Sequence, residues 1–286
     1  MARGSSPLET MPVSRFARQT RWSLIVLTGA MLAFLYLPIA FLILFSFEDA
    51  ATPGLPITGL TLHWYQVLAS DTAIQGALLT SIEVAVVVTI IASIIGTMVA
   101  FPLVRGGVRG AGILRLLFTL PIMIPGFLIG IGLLIFFRQG LHPLVNVQLG
   151  LYTVVAGHLV FTIPFVVLIV ASRLQGFDRR LEWAAADLGA SPWRTLRHIV
   201  LPLIAPAILA GALLCVTLSI DEFVITFFLI GPQQTLPLYI YTQIKFGVTP
   251  EVNAIATVIL VVSLSAVAIG SILLTSSRRL RRRRAE

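Results

Sequence analysis

Charge is what this sequence has least of. Only 11% of its 286 residues are Asp, Glu, Lys or Arg, against about a quarter in ordinary soluble domains, while 57% are hydrophobic. That shortage argues against a water-soluble enzyme or binding module and points to a chain whose solvent is lipid. A single cysteine, Cys215, excludes an internal disulfide; set in an apolar run, it reads as a small packing residue. The histidines, His63, His142, His158 and His198, are scattered without metal-ligand spacing, so no metal site is expected. His158 lies in an apolar run and reads as packing rather than as a proton relay. The phosphate-binding pattern G-x-x-x-x-G-K-[ST] is missing as well, which argues against an ATPase of that type. No nucleophile–base constellation stands in the apolar segments, so a membrane enzyme is disfavoured.

What is present is length of apolar run. A helix needs about 20 mostly apolar residues to cross the hydrocarbon core. Six segments qualify, roughly 24–47, 79–104, 114–137, 149–172, 203–229 and 252–274. Helices are expected because they satisfy their own backbone hydrogen bonds in lipid. The first segment exceeds a signal-peptide core and is expected to stay uncleaved. Basic residues orient the set. Of the 20 Lys and Arg, all but Arg138 and Lys245 fall before segment 1, between 2 and 3, between 4 and 5, or after 6. The positive-inside rule then puts both termini in the cytoplasm. The tail RRLRRRR, Arg278–Arg284, reads as a lipid anchor rather than a nucleic-acid site, because it directly follows a span. The chain therefore divides into a cytoplasmic segment 1–23, a six-span domain 24–274 and a basic cytoplasmic tail 275–286. The outside segment 48–78 suggests an interfacial helix near Trp64 and Tyr65, and the outside loop 231–251, with Pro232, Pro237 and Pro250, reads as structured but irregular.

Between segments 4 and 5, on the cytoplasmic side, lies a polar loop, residues 178–202, which includes EWAAADLGASPWRTLRHIVLP. Asp178 suits an N-cap, and Leu181, Ala184, Ala185 and Leu188 share one helical face. Gly189 fits a C-terminal cap. Ser191-Pro192 fits N-cap and first position of a second short helix, with Trp193, Leu196 and Val200 on one side. Pro202 is expected to end it. From pattern alone this is either a helix pair that a cytoplasmic partner grips or an amphipathic loop lying on lipid.

The loop resembles that of bacterial ABC importer permeases, whose pattern is Glu-Ala-Ala, three residues, Gly, nine residues, Ile, one residue, Leu-Pro. Ala184, Ala185, Gly189, Ile199, Leu201 and Pro202 match at the right spacing. Trp183 stands where the pattern has glutamate, and Glu182 comes one residue early, about 100° around the helix. SRLQGFDRRLEWAAADLGAS, LSIDEFVITFFLIGP and LPLYIYTQIKFGVTPEVNAIAT resemble the second permease subunit of spermidine/putrescine importers, a likeness running from about residue 75 onward. The resemblance implies an all-α type I ABC importer permease fold in the bacterial inner membrane. It also implies a paralogous permease partner, an ABC ATPase dimer docked on 178–202, and a periplasmic substrate-binding protein. ATP and Mg would belong to the ATPase subunits, with no cofactor bound by this chain and no catalytic residues in it. On this reading Gly189 and the Ala184–Ala185 face matter more for docking than Glu182.

Three acids within or near the spans are candidates for a substrate pathway: Asp221 and Glu222 in segment 5, and Glu83 near the outer end of segment 2. Charge inside the bilayer is costly and tends to face a wet cavity or a partner. An amine cation would be attracted there; a helix cap, a helix break or a bond to the partner permease is the structural alternative. In LPIMIPGFLIGIGLL, Pro121 and Pro125 predict a kink in segment 3, and Gly126 and Gly130 form a G-x-x-x-G packing face. Two other functions remain open at this point: a same-family permease for another small solute, whether an anion, a metal ion or another organic cation, and a stand-alone secondary transporter. Paired broken helices in an internal repeat would favour the latter, and no repeat is visible.

Overall fold

The computed structural model describes residues 15–50, 52–106, 110–141, 145–247, 249–262 and 264–265. Among them the chain is helical and forms no strand, only an isolated antiparallel bridge between Glu48 and Leu60. It divides into two units, residues 1–69 with 247–286, and residues 70–246.

The first unit holds α1 (Arg15–Phe45), all but the last residue of α2 (His63–Ser70) and a terminal helix near the end of the described chain, Pro250–Val262. The expected tail 275–286, the N-terminal residues 1–14, and residues 263 and 266–274 of segment 6 lie outside the described residues. Between α1 and α2 the chain folds onto Glu48. Its Oε1 accepts the Thr58 N–H at 2.9 Å and the Thr58 hydroxyl at 2.8 Å, and Trp64 Nε1–H donates to its carbonyl at 2.7 Å.

The second unit is built on three long helices, α3 (Thr72–Arg105), α6 (Leu151–Gln175) and α9 (Leu201–Asp221). α3 starts where Asp71 Oδ1 accepts the Ala73 N–H at 2.7 Å, an N-cap that satisfies donors the helix leaves open. In lipid, apolar burial drives no association, so close backbone approach and van der Waals fit hold helices together. The sequence provides for this with small residues. A Cβ on Gly96 of α3 would stand 2.6 Å from Val166 Cβ on α6, and one on Gly157 of α6 would stand 2.7 Å from Ile225 Cγ2. Ala92, Ala100, Val166, Val170, Ile204 and Cys215 close one apolar core; Val84, Val88, Val154, Ile225 and Leu229 close another.

Segment 3 bends more sharply than a kink. It is two helices, α4 (Ala111–Met123) and α5 (Gly126–Ile135, continued by a π-turn Phe136–Leu141), bent by 103°. Pro125 forces the break, because the residue before proline is pushed out of the helical region; Ile124 is extended at φ −83°, ψ 127°. Gly130 packs as the G-x-x-x-G face predicts, with a hypothetical Cβ at 2.7 Å from Phe228 Cδ2, whereas Gly126 has only Ile225 near, at 3.8 Å. Segment 5 also differs from expectation. The helix stops at Asp221, and α10 (Val224–Leu229) follows after a break. The loop expected to be irregular contains α11 (Leu236–Phe246): Pro237 sits in its first turn, where a missing N–H goes unmissed.

Among the described residues, four helices are long and apolar enough to cross a membrane: Thr20–Phe45, Thr72–Arg105, Leu151–Gln175 and Pro192–Asp221, with the bent α4–α5 pair as a fifth if it counts as one span.

Candidate coupling loop and the broken helix

The loop after α6 forms α7 (Arg180–Asp187) and α8 (Pro192–Thr195). Asp178 Oδ1 accepts the Arg180 N–H at 3.0 Å and so serves the start of α7. α7 ends in a Schellman motif: Gly189 N–H bonds to the Ala186 carbonyl and Ala190 N–H to the Ala185 carbonyl, both at 2.9 Å. This closure needs a left-handed residue, and Gly189 has φ +78°. Ser191 then caps α8, its hydroxyl accepting the Arg194 N–H at 3.3 Å.

Pro202 does not end the second helix. α8, a π-turn at Leu196–Val200 and α9 run on as one helical stretch, Pro192–Asp221. Proline lacks an N–H and its ring clashes with the carbonyl four residues back. The ladder widens just before it, with Leu201 N–H reaching the Leu196 carbonyl five residues back, and the ring is accommodated. Trp193 does not share the inward side: it is 66% exposed, whereas Thr195 and Val200 are buried and Leu196 half-buried.

The expected apolar face of α7 is present but open. Leu181, Ala184, Ala185 and Leu188 line one side of a groove of about 470 Å³, with Thr195, His198 and Ile199 opposite. Ala185 is buried, while Leu188 is 89% exposed and Trp183, outside that groove, is 62% exposed. Leu201 is half-buried and Pro202 exposed. Glu182 turns elsewhere: its Oε1 lies 2.5 Å from Nη1 of Arg105, at the end of α3. Sequence reading missed Arg105 as a partner; its nearest signal was a glutamate displaced by one position from the motif.

The break after α9 gathers the other candidates. Glu222 adopts an extended backbone, and its Oε1 accepts the Ile225 N–H at 2.8 Å, capping α10. Asp221 is exposed, as is Glu83 on α3. His158 on α6 is buried but not in ordinary apolar packing. Its Nδ1 is 2.8 Å from Ser219 Oγ and its Nε2 is 2.9 Å from Thr226 Oγ1. Thr226 gives its own proton to the Glu222 carbonyl at 2.8 Å. In the neutral ring, Nε2 therefore donates to Thr226 and Nδ1 accepts from Ser219. The ring ties both sides of the break to α6. Above it, Tyr241 of α11 meets Phe223 at 4.7 Å and Phe227 at 6.2 Å between ring centroids.

Long apolar helices, a broken helix and a polar two-helix loop define a multi-pass membrane protein. The fold is that of a chain in the crystal structure of a bacterial ABC transporter involved in the import of the acidic polysaccharide alginate. Against it the TM-score is 0.68 at 18% identity, covering 91% of this chain and 99% of that one. Residues 92–283 match the binding-protein-dependent transport system inner membrane component family, and the chain belongs to it. It is 41% identical over 236 residues to the spermidine/putrescine transport system permease protein PotC of Escherichia coli K12, covering 82% of this chain and 87% of that protein. It is 35% identical over 256 residues to the putrescine transport system permease protein PotI of the same organism, covering 88% and 89%.

Proposed function

We propose that this chain is one of two membrane subunits of an ATP-driven polyamine importer in a bacterial inner membrane, with both termini in the cytoplasm. The observation that carries the reading is its likeness to two permeases named for spermidine and putrescine transport over more than four-fifths of its length. A paralogous permease completes the pathway, a periplasmic binding protein delivers the amine, and membrane lipid surrounds the pair. An ABC ATPase dimer holds ATP and Mg and supplies the hydrolysis, so this chain is not itself the enzyme.

The open groove supports the docking part of this reading. Large exposed apolar residues on a polar loop mark an interaction surface; Leu188 is one within the groove, and Trp183 and Trp193 are others on the same loop outside it. Gly189 sets the angle between α7 and α8, and Ala184 with Ala185 lets the partner approach closely. Glu182 holds the loop to α3 through Arg105, Ile199 forms part of the far wall of the groove, and Leu201 and Pro202 carry the loop on into α9. Alternating access then follows: ATP closes the ATPase pair, the loop moves, and the spans open outward to receive substrate. Asp221, exposed beside the break, is the carboxylate best placed to attract an ammonium group in a partly dry setting. Glu222 contributes as a cap, and Glu83 lies on the outer approach.

Deleting this chain in its source cell is expected to abolish uptake of radiolabelled spermidine and putrescine, and the intact chain on a plasmid to restore it. Uptake unaffected by the deletion would overturn the assignment.

A further inference from the structure

α3 is held at both ends. With 34 residues it is about 50 Å long, well beyond the roughly 30 Å of hydrocarbon. At one end Arg105 is only 12% exposed, its guanidinium 2.5 Å from Glu182 and 4.8 Å from the centre of the Phe177 ring. Beyond Glu182 that guanidinium has no polar partner among the described residues. At the other end Ser81 Oγ accepts the Leu236 N–H at 2.8 Å, and Asp71 Oδ2 accepts the Tyr239 hydroxyl at 3.1 Å. Both donors belong to α11, whose Tyr241 ring meets Phe223 at a tilt at the break beside Asp221 and Glu222.

We infer that α3 is a strut that carries movement of the ATPase-facing loop to the outer end of the chain, with Arg105–Glu182 as its grip on the loop and Asp71–Tyr239 and Ser81–Leu236 as its grip on α11. The strut rests on the importer reading. Three features separate the Arg105–Glu182 pair from a decorative surface bridge, which contributes little. It is largely withdrawn from water. Its arginine stacks on an aromatic ring, which lysine does not reproduce. It joins two elements that docking on α7 pulls apart or together. Arg105 and Glu182 are positioning residues: neither need touch substrate.

A contiguous set of contacts becomes a transmission path only when coupling is measured. The transporter is purified through a tag on this chain and placed in lipid nanodiscs. A polarity-sensitive dye is attached to Lys245→Cys at the end of α11; native Cys215 is fully buried. The dye is read before and after ATP with vanadate, a probe that does not depend on which solute is carried. Wild type is expected to give a clear signal change. Arg105→Glu and Glu182→Arg, each alone, reduce its amplitude at least fivefold while the ATPase still co-purifies and hydrolyses ATP. The double exchange recovers at least half. Tyr239→Phe, which deletes one hydroxyl at the far grip, halves the signal and guards against misfolding of the charge variants. Full amplitude in either charge variant or in Tyr239→Phe, or a double exchange no better than the singles, overturns the strut. A wild-type complex that ignores ATP overturns the importer reading, and the strut with it.

Discussion

His158 and Thr226 stand 68 residues apart in sequence and 2.9 Å apart in the fold, joined by Nε2–H donating to the threonine hydroxyl. Ser219 completes the bridge, so one imidazole fixes the end of α9 and the start of α10 across an interrupted backbone. His158→Phe keeps the volume and leaves two buried hydroxyls short of a partner, a loss of about 1–3 kcal/mol. A lowered melting temperature of the purified transporter is expected. Adding Ser219→Ala and Thr226→Val to that background recovers part of the loss, because the two hydroxyls that lost the imidazole are removed, at the expense of the Thr226 bond to the Glu222 carbonyl. A single variant that melts like wild type would show that the bridge carries no load.

The two acids at the break have separable roles. Glu222→Gln keeps an oxygen to accept the Ile225 N–H, so transport within about twofold of wild type is expected. Glu222→Ala removes the cap, at about 0.5–2 kcal/mol, and lowers both melting temperature and uptake. Asp221→Asn leaves stability unchanged and raises the KM for spermidine at least tenfold. Initial uptake rates across a range of spermidine concentrations check all three; an unchanged KM in Asp221→Asn would remove it from the pathway.

Gly189 is where the loop tolerates least. At φ +78° a β-branched side chain costs about 1–2 kcal/mol, and the Schellman closure that orients α8 is lost. Gly189→Val is expected to release the ATPase during purification, whereas Glu182→Ala retains it and fails later, in transport. The comparison is made on one gel of the two purified complexes; ATPase lost only from Glu182→Ala would reverse the ranking.

These features differ in how readable they were. Gly189, Ser191-Pro192 and the break-forming Pro125 act through their own backbone, so their chemistry is local and the sequence displays it. The outcome at Pro202 was not readable, since a proline can end a helix or be absorbed by a π-turn such as Leu196–Val200. Arg105–Glu182 was invisible because nothing local links two residues 77 positions apart (105 against 182). His158 looked like packing because its two partners, Ser219 and Thr226, also sit in apolar runs. The stop after Asp221 was legible only as an alternative: the acid pair suggested a helix break or cap, while the apolar run through Leu229 suggested one continuous span.

The loop at Glu48 should respond to acid. Hydrogen bonds from the Thr58 backbone and then its hydroxyl hold the Glu48 carboxyl below its usual range, outweighing the opposite pull of desolvation. A lowered folded value means the stabilisation is complete above the unfolded value, about 4.3, and is lost as pH falls through the folded one. Hydrogen exchange of the Gly59 and Thr61 amides is therefore expected to stay slow at pH 6 and to lose protection, beyond the intrinsic pH effect, below about pH 4. Thr58→Ala moves that loss to higher pH. Thr58→Ala keeps the backbone N–H bond, so a midpoint unmoved by it would contradict a contribution from the Thr58 hydroxyl.

The central claim is tested most directly by uptake into proteoliposomes holding the complete purified transporter, with ATP enclosed on the loop side and the binding protein outside. The predicted result is accumulation of radiolabelled spermidine or putrescine that requires both ATP and the binding protein and is competed by the other amine. Transport of a non-amine solute alone would contradict the polyamine assignment, and gradient-driven uptake by this chain without an ATPase would contradict the importer reading as a whole.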